Sequence, residues 1–257
     1  MHRLKPKLRS LTRTWHHRPG AAEVAVHEEL DRVVPVIAAI RAAGCTVPIS
    51  VDTRSAAVAQ AALDAGATLV NDVSAGAHDP RMLPLVAARG VPFIAMHMRG
   101  TPATMTQLTQ YTDVVSEVIT ELGVRMAAAQ HAGIPRWLQI VDPGVGFAKT
   151  ADQSLVLMAE LQRIKSELRC PLLIGPSRKR FIAAAGGEQK PQQASIGNSD
   201  SNSDLHARDM GTVGAVCSAA ERGASIVRVH NVAAAKPALA VVQAIRTSRL
   251  SLLRTDT

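Results

Sequence analysis

Rings are scarce in this chain of 257 residues: Phe, Tyr and Trp together make up 2% of it, while hydrophobic residues make up 47%. Its core must therefore be built from Ala, Val, Leu and Ile, which suits repeated layers of strand and helix better than an aromatic-rich sandwich. The same scarcity removes the stacking platforms on which unpaired bases rest. No nucleic-acid-binding motif accompanies the formal net charge of +8, so small acidic or phosphorylated molecules are the expected partners and nucleic acid is not. Cysteine is sparse as well. Cys45, Cys170 and Cys217 lie far apart, lack any CxxC pairing and fall in or beside apolar segments, as free thiols of a reducing compartment do. No apolar run reaches the roughly eighteen residues that a membrane-spanning helix needs, and no secretory signal is visible. Acids are missing from the start of the chain: Arg3, Lys5, Lys7, Arg9, Arg13 and Arg18 all precede the first one, Glu23. Residues 1–17 read as an exposed basic arm, and the location as cytoplasmic or mitochondrial.

What is present is a repeat. Six short apolar, β-branched runs stand out: "VPISVDT" (47–53), "TLVNDV" (68–73), "VPFIAMHM" (91–98), "LQIVDPG" (138–144), "PLLIGPS" (171–177) and "SIVRVHNV" (225–232). Each has the pattern of a strand buried on both faces. Ala-rich amphipathic segments lie between them, at 54–65, 112–133, 151–169 and 207–222, several closed by a glycine at the C-cap: Gly66, Gly133, Gly223. Alternating strand and helix demands a parallel sheet, either open or closed into a barrel. Polar residues sit at the C-terminal ends of successive strands: Asp52, Asn71, Asp72, His97, Asp142, Ser177, Lys179, Arg228 and His230. Only a barrel brings all such ends to one mouth, so the expected fold is a TIM (β/α)8-type barrel over residues 18–247. Six βα units and one preceding helix, 21–44, are recognisable. The basic arm shows no strand-like run, so the first strand, first helix and second strand read as missing. The polar stretch 186–206 reads as a flexible surface insertion, and 248–257 as a polar tail.

The strand tips carry the chemistry. Asp52 and Asn71 alone would be read as loop caps. In "IVDPGVGFAK", Asp142 ends a buried run and Pro143, Gly144 and Gly146 shape a tight loop where backbone can approach a ligand. "GPSRK" gathers a hydroxyl, a guanidinium and an ammonium at a strand-to-helix junction, an arrangement suited to an anion. In "VRVHNV" the alternation places Arg228 and His230 on one face, where burial without partners would be costly. The mouth would thus hold two carboxylates and an Asn on one side, suited to a heterocycle with N–H donors, and cations on the other, suited to phosphate.

The ordered set "RPGA", "EEL.RV.PVI", "ISVDT", "NDV", "MHM.G.P.TM", "DPGVGF.K", "GPSRKRF", "RD.GT" and "RVHNV" closely resembles dihydropteroate synthase of folate biosynthesis, in its plant-type, eukaryotic branch, from about Arg18 to about residue 247. The resemblance implies a barrel that joins p-aminobenzoate to 6-hydroxymethyl-7,8-dihydropterin diphosphate and releases pyrophosphate with the help of Mg²⁺. It implies that Asp52, Asn71, Asp142, Lys179 and Arg228 hold the pterin, with Asp142 making a two-point contact. Ser177, Arg178 and Phe147 would line the p-aminobenzoate pocket. Arg18, Arg228 and His230 would meet the diphosphate, and Lys179, Arg228 and His230 would serve catalysis. No metal ligand is assigned, because the family's Mg²⁺-binding Asn and lid loop have no counterpart before Arg18, and the second-loop Thr is replaced by His17. A homodimer without nucleic-acid or membrane partners is expected. Two other readings stay open: a non-catalytic pterin-binding or subunit-interaction barrel, and a folate-dependent methyltransferase.

Overall fold

A computed structural model describes residues 9–11, 24–101, 103–187 and 202–252. Four of the expected strands form as short buried rods: β2 (Ile49–Asp52), β3 (Leu69–Asp72), β4 (Phe93–Met96) and β5 (Gln139–Asp142). The last two are briefer, β6 (Leu173–Ile174) and β7 (Ile226–Val227). All pair in parallel in chain order, β2 to β5 in one sheet and β6 with β7 in a second. A bridge between Val141 and Leu172 joins the two.

One expectation fails here. The basic arm does contain a strand, β1 (Arg9–Leu11), which pairs in parallel with β2 through Arg9↔Ile49, Ser10↔Ser50 and Leu11↔Val51. Among the described residues seven strands therefore follow one another where six were legible. Three residues among basic neighbours carry no periodic signal, and the strand exists because the edge of β2 offers backbone partners. Among the described residues no pairing joins β7 to β1.

Helices return the chain from each strand to the next: α1 (Val26–Ala42), α2 (Ala56–Asp64), α3 (Met82–Arg89), α4 (Val114–His131), α5 (Ala151–Ala159), α6 (Leu161–Leu168), α7 (Arg180–Ala185), α8 (Asn202–Glu221) and α9 (Val232–Leu252). Local sequence sets several of their starts. Asp113 accepts from the Val115 and Ser116 amides at the head of α4, and Thr150 with Gln153 makes a reciprocal capping box at α5. The segment 151–169, expected as one helix, breaks at Glu160 into α5 and α6. Two boundaries also move. Helix α8 begins inside the stretch expected to be a flexible insertion, whose residues 188–201 lie outside the described ones, and α9 runs on into the expected tail as far as Leu252. Asp204 in the first turn of α8 suits the positive end of the helix. No helix among the described residues is long and apolar enough to cross a membrane.

The outer face of the sheet buries Ile49, Val51, Val70, Phe93 and Ala95 against Val33 and Ile37 of α1, Ala59 and Ala62 of α2, and Val86 of α3. The inner face gathers Leu69, Ile94, Ile140, Leu173 and Ile226 into one apolar cluster, one residue from each of five successive strands. Two positions further along those strands, and so on the same face, come Asn71, Met96, Asp142, Gly175 and Arg228. The sheet must curl strongly. Five inter-strand spacings of about 4.8 Å would hold β2 and β7 some 24 Å apart if it were flat, yet Arg228 Nη2 beyond β7 lies 3.3 Å from Asp52 Oδ2 at the tip of β2. That contact is the geometry of a barrel wall, and it brings the strand tips to one mouth.

Candidate active site

Asp52 reaches the mouth because Ser50 and Asp52 face inward while Val51 packs outward. Its side chain is 1% exposed and meets the Arg228 guanidinium. It does not cap the following helix: the α2 amide of Ala56 donates to Asp79 Oδ2 at 2.9 Å, a carboxylate from the next loop. Asn71 lies beside Asp52 in register, and its Oδ1 is buried without a hydrogen-bond partner. Asp72 is different. Its carboxylate accepts from the Ser74 amide and hydroxyl and the Gly76 amide, so it shapes its own loop and is not part of the mouth.

Asp142 is buried, and its Oδ1 accepts the Gly144 amide at 2.8 Å. Burial pushes its pKa up, against the pull of Lys179 and Arg228. The loop after it can turn back on β4 only because residue 144 is glycine. A Cβ there would stand 2.0 Å from the His97 carbonyl oxygen, and φ is +67°. Lys179 reaches the same point from the other side. Its ammonium donates to the Val145 carbonyl and lies 4.3 Å from the centre of the Phe147 ring, a cation–π contact. Burial pulls Lys179 down to about 8, with Asp142 opposing that shift; the side chain keeps some exposure, so solvent relieves part of it.

Ser177 Oγ accepts the His230 amide at 3.1 Å and sits 2.8 Å from His230 Nδ1, locking the loops after β6 and β7 together. Arg178 has φ +58°, and its guanidinium makes a two-point ion pair with Asp209 of α8 at 2.7 and 3.0 Å. Asp209 also accepts from Asn231 Nδ2 at 2.9 Å, and Arg178 first, then Asn231, holds its carboxyl at about 2. Helix α7 is only Arg180–Ala185, too short for a strong dipole, so the anion site expected at this corner would have to rest on side chains.

The structure thus brings Asp52, Arg228, Asn71, Asp142, Lys179 and Phe147 to one mouth and joins Ser177 to His230 beside it. Arg178 is seated on Asp209, and Arg18 lies outside the described residues. Two residues escaped the sequence reading. Asp209 stands in the quoted "RD.GT" and Lys149 ends the quoted "DPGVGF.K", but nothing local shows what either touches. A mouth with carboxylate and amide acceptors on one wall and an ammonium, a guanidinium and an imidazole on the other can take a flat, donor-bearing ring that ends in an anion.

Comparison with known proteins agrees. Residues 15–230 match the family described as pterin binding enzyme. The dihydropteroate synthase of Synechocystis sp. is 42% identical over 217 residues, which is 84% of this chain and 70% of that one. The folic acid synthesis protein fol1 of Schizosaccharomyces pombe is 42% identical over 233 residues, 89% of this chain, but the chain spans only 30% of that longer protein. A solved structure of Xanthomonas albilineans dihydropteroate synthase with 4-aminobenzoic acid aligns with a TM-score of 0.77 at 41% identity, covering 89% of this chain and 76% of that one. With the family match running from the end of the basic arm to His230 itself, the chain belongs to the pterin-binding enzymes.

Proposed function

We propose that the chain is a dihydropteroate synthase, a transferase that joins p-aminobenzoate to 6-hydroxymethyl-7,8-dihydropterin diphosphate in folate synthesis. The observation that carries this reading is the division of the mouth: Asp142, Asn71 and Asp52 on one wall, Lys179, Arg228 and His230 on the other. The first wall accepts from the 2-amino group and ring N–H of a pterin, with Asp142 taking two donors at once. The second faces the diphosphate.

The chemistry asks little more of the protein. The bond between the pterin methylene and the diphosphate oxygen breaks, and the oxygen keeps the electron pair. Arg228 and His230 stabilise that growing charge. The electron-rich pterin stabilises the methylene cation, the p-aminobenzoate nitrogen bonds to it, and the nitrogen gives up a proton. Ser177 and the Phe147 ring present the p-aminobenzoate, and no side-chain nucleophile is used. Mg²⁺, expected from the resemblance, finds no cage here: among the described residues no three His, Cys, Asp or Glu side chains converge as ligands. Magnesium is commonly held through substrate phosphates with few protein ligands, and the roles given above are those of the chain's own residues alone. Val241 and Ile245, both exposed and one turn apart on α9, support the expected homodimer.

Incubating the protein with both substrates and detecting dihydropteroate tests the reading. Binding of the pterin and of p-aminobenzoate without product would favour the non-catalytic pterin-binding alternative. Failure to bind a pterin at all would overturn the proposal.

A further inference from the structure

Lys149 closes the loop that begins at Asp142, and none of the roles above includes it. Its side chain is buried, with 6% of the residue exposed. The ammonium stands 2.9 Å from His97 Nδ1, 2.9 Å from the Phe147 carbonyl oxygen and 3.2 Å from the Gly144 carbonyl oxygen. Three acceptors surround a group that carries three protons only when charged. His97 can accept at Nδ1 because its other nitrogen donates: Nε2 lies 2.9 Å from Glu121 Oε2. Burial holds His97 down to about 4, so the ring is neutral near pH 7 and carries its proton on Nε2. Glu121 is fixed in turn by Arg99, which also grips Glu117 and covers the Tyr111 ring at 3.9 Å. A continuous line of hydrogen bonds therefore runs from the ion cluster on α4 through one imidazole to one buried ammonium, and ends on two carbonyls of the loop that shapes the mouth.

Those two carbonyls matter because of what their residues do. The Gly144 amide holds the Asp142 carboxylate, and Phe147 places its ring beneath Lys179. We infer that Lys149, aligned by His97 and Glu121, is the positioning residue for the proposed pterin and p-aminobenzoate site, and that its protonated form holds the loop 143–148 in its binding shape. This rests on the function proposed above. Loss of one proton leaves three acceptors facing two donors, so one of the His97 ring, the Phe147 carbonyl and the Gly144 carbonyl loses its hold on Lys149; the Gly144 oxygen alone keeps a second donor, the Phe147 amide. The position is poised for that loss: burial draws Lys149 down to about 7, Lys179 and Arg99 press it the same way, and Asp142 and Glu121 oppose them.

The experiment uses the full chain, with 6-hydroxymethylpterin as the probe, between about pH 6 and 9. Nitrogen NMR of the histidines and hydrogen exchange of residues 143–149 are followed without ligand, and pterin affinity is followed by calorimetry. The expected result is a His97 Nδ1 signal of an unprotonated acceptor nitrogen that shifts with a midpoint near pH 7, with the protection of the loop amides, taken relative to their intrinsic exchange at each pH, falling about tenfold across the same interval. Pterin affinity should fall about tenfold over that range. Lys149→Met should abolish the shift near pH 7 and give low loop protection and weak binding throughout, leaving only the pH dependence that Lys179 contributes near pH 8. Lys149→Arg, whose planar fork cannot serve three acceptors from one nitrogen, should not restore binding. A His97 proton found on Nδ1, or a Lys149→Met variant with wild-type loop exchange and pH profile, overturns the inference. If that variant does not fold, the wild-type titration decides, and a loop indifferent to pH overturns it. A loop transition in a protein that binds no pterin at any pH would uphold the positioning role and sink the synthase reading instead.

Discussion

Asp142 faces two opposed demands. The proposed pterin contact needs its carboxylate ionised, to accept two donors, whereas burial disfavours the charge and raises its pKa. A carboxyl whose folded pKa is raised adds stability below its unfolded pKa and loses it as pH rises through the folded value. The ligand-free protein therefore bears a cost at neutral pH that a bound donor ring offsets. Asp142→Asn keeps an oxygen for the Gly144 amide but turns an N–H toward the ring's own donors. We expect an unchanged circular dichroism spectrum and a loss of pterin affinity of about a hundredfold, roughly 3 kcal/mol, in calorimetry. Arg228→Ala and His230→Ala should behave differently: both should weaken the diphosphate ester at least tenfold more than the free pterin alcohol, because the charge they meet lies on the leaving group. Equal losses for the two ligands would count against that assignment. These residues were legible in the sequence because each stands at a strand tip in an alternating pattern. Asp209 and Lys149 were not, since Arg178 and His97, the side chains that tie them to the site, lie 31 and 52 residues away and no local pattern encodes such a distance.

At the scale of elements, the loop after β5 is the part whose shape was readable from its glycines. Gly144→Ala would place a methyl group 2.0 Å from backbone oxygen at a φ of +67°. Backbone cannot swing aside as a flexible side chain does, so the loop must move off β4 and carry Phe147 with it. Chemical denaturation should show a loss of 2 kcal/mol or more, and p-aminobenzoate affinity should drop with it. The helix starts at Asp113 and Thr150 were likewise open to reading, since their capping residues stand in the sequence. Strand β1 was not. Arg9–Leu11 becomes a strand only by lying along β2, and an edge partner is invisible to any window of three residues. The break at Glu160 between α5 and α6 is a similar case, since no Pro or Gly in the segment announces it.

For the molecule as a whole, the buried His97 ties stability to acid. Its folded pKa of about 4 lies below the roughly 6.5 of an unfolded histidine. Between those values the unfolded chain takes up a proton that the native state refuses, so this contribution is complete above pH 6.5 or so and drains away as pH falls toward 4. Unfolding free energy should decline by up to about 3 kcal/mol across that window, and His97→Gln should flatten the curve. The parallel α/β class and the converging mouth were legible at this scale, because alternating strand and helix admit few arrangements.

The pair of Arg228 and Asp52 joins residues 176 positions apart. On a ribosome adding roughly 5 to 20 residues each second, Asp52 waits about ten to thirty-five seconds for its guanidinium to be made. Such long-range closure is slow to find even in a complete chain. When the denatured protein is returned to native buffer, helical signal should come back first and pterin fluorescence quenching last, as a separate phase that Arg228→Ala removes. A mouth closed between β2 and β7 is absent from every nascent chain still short of β7, and such a chain would hold helices, a partial core and no closed mouth.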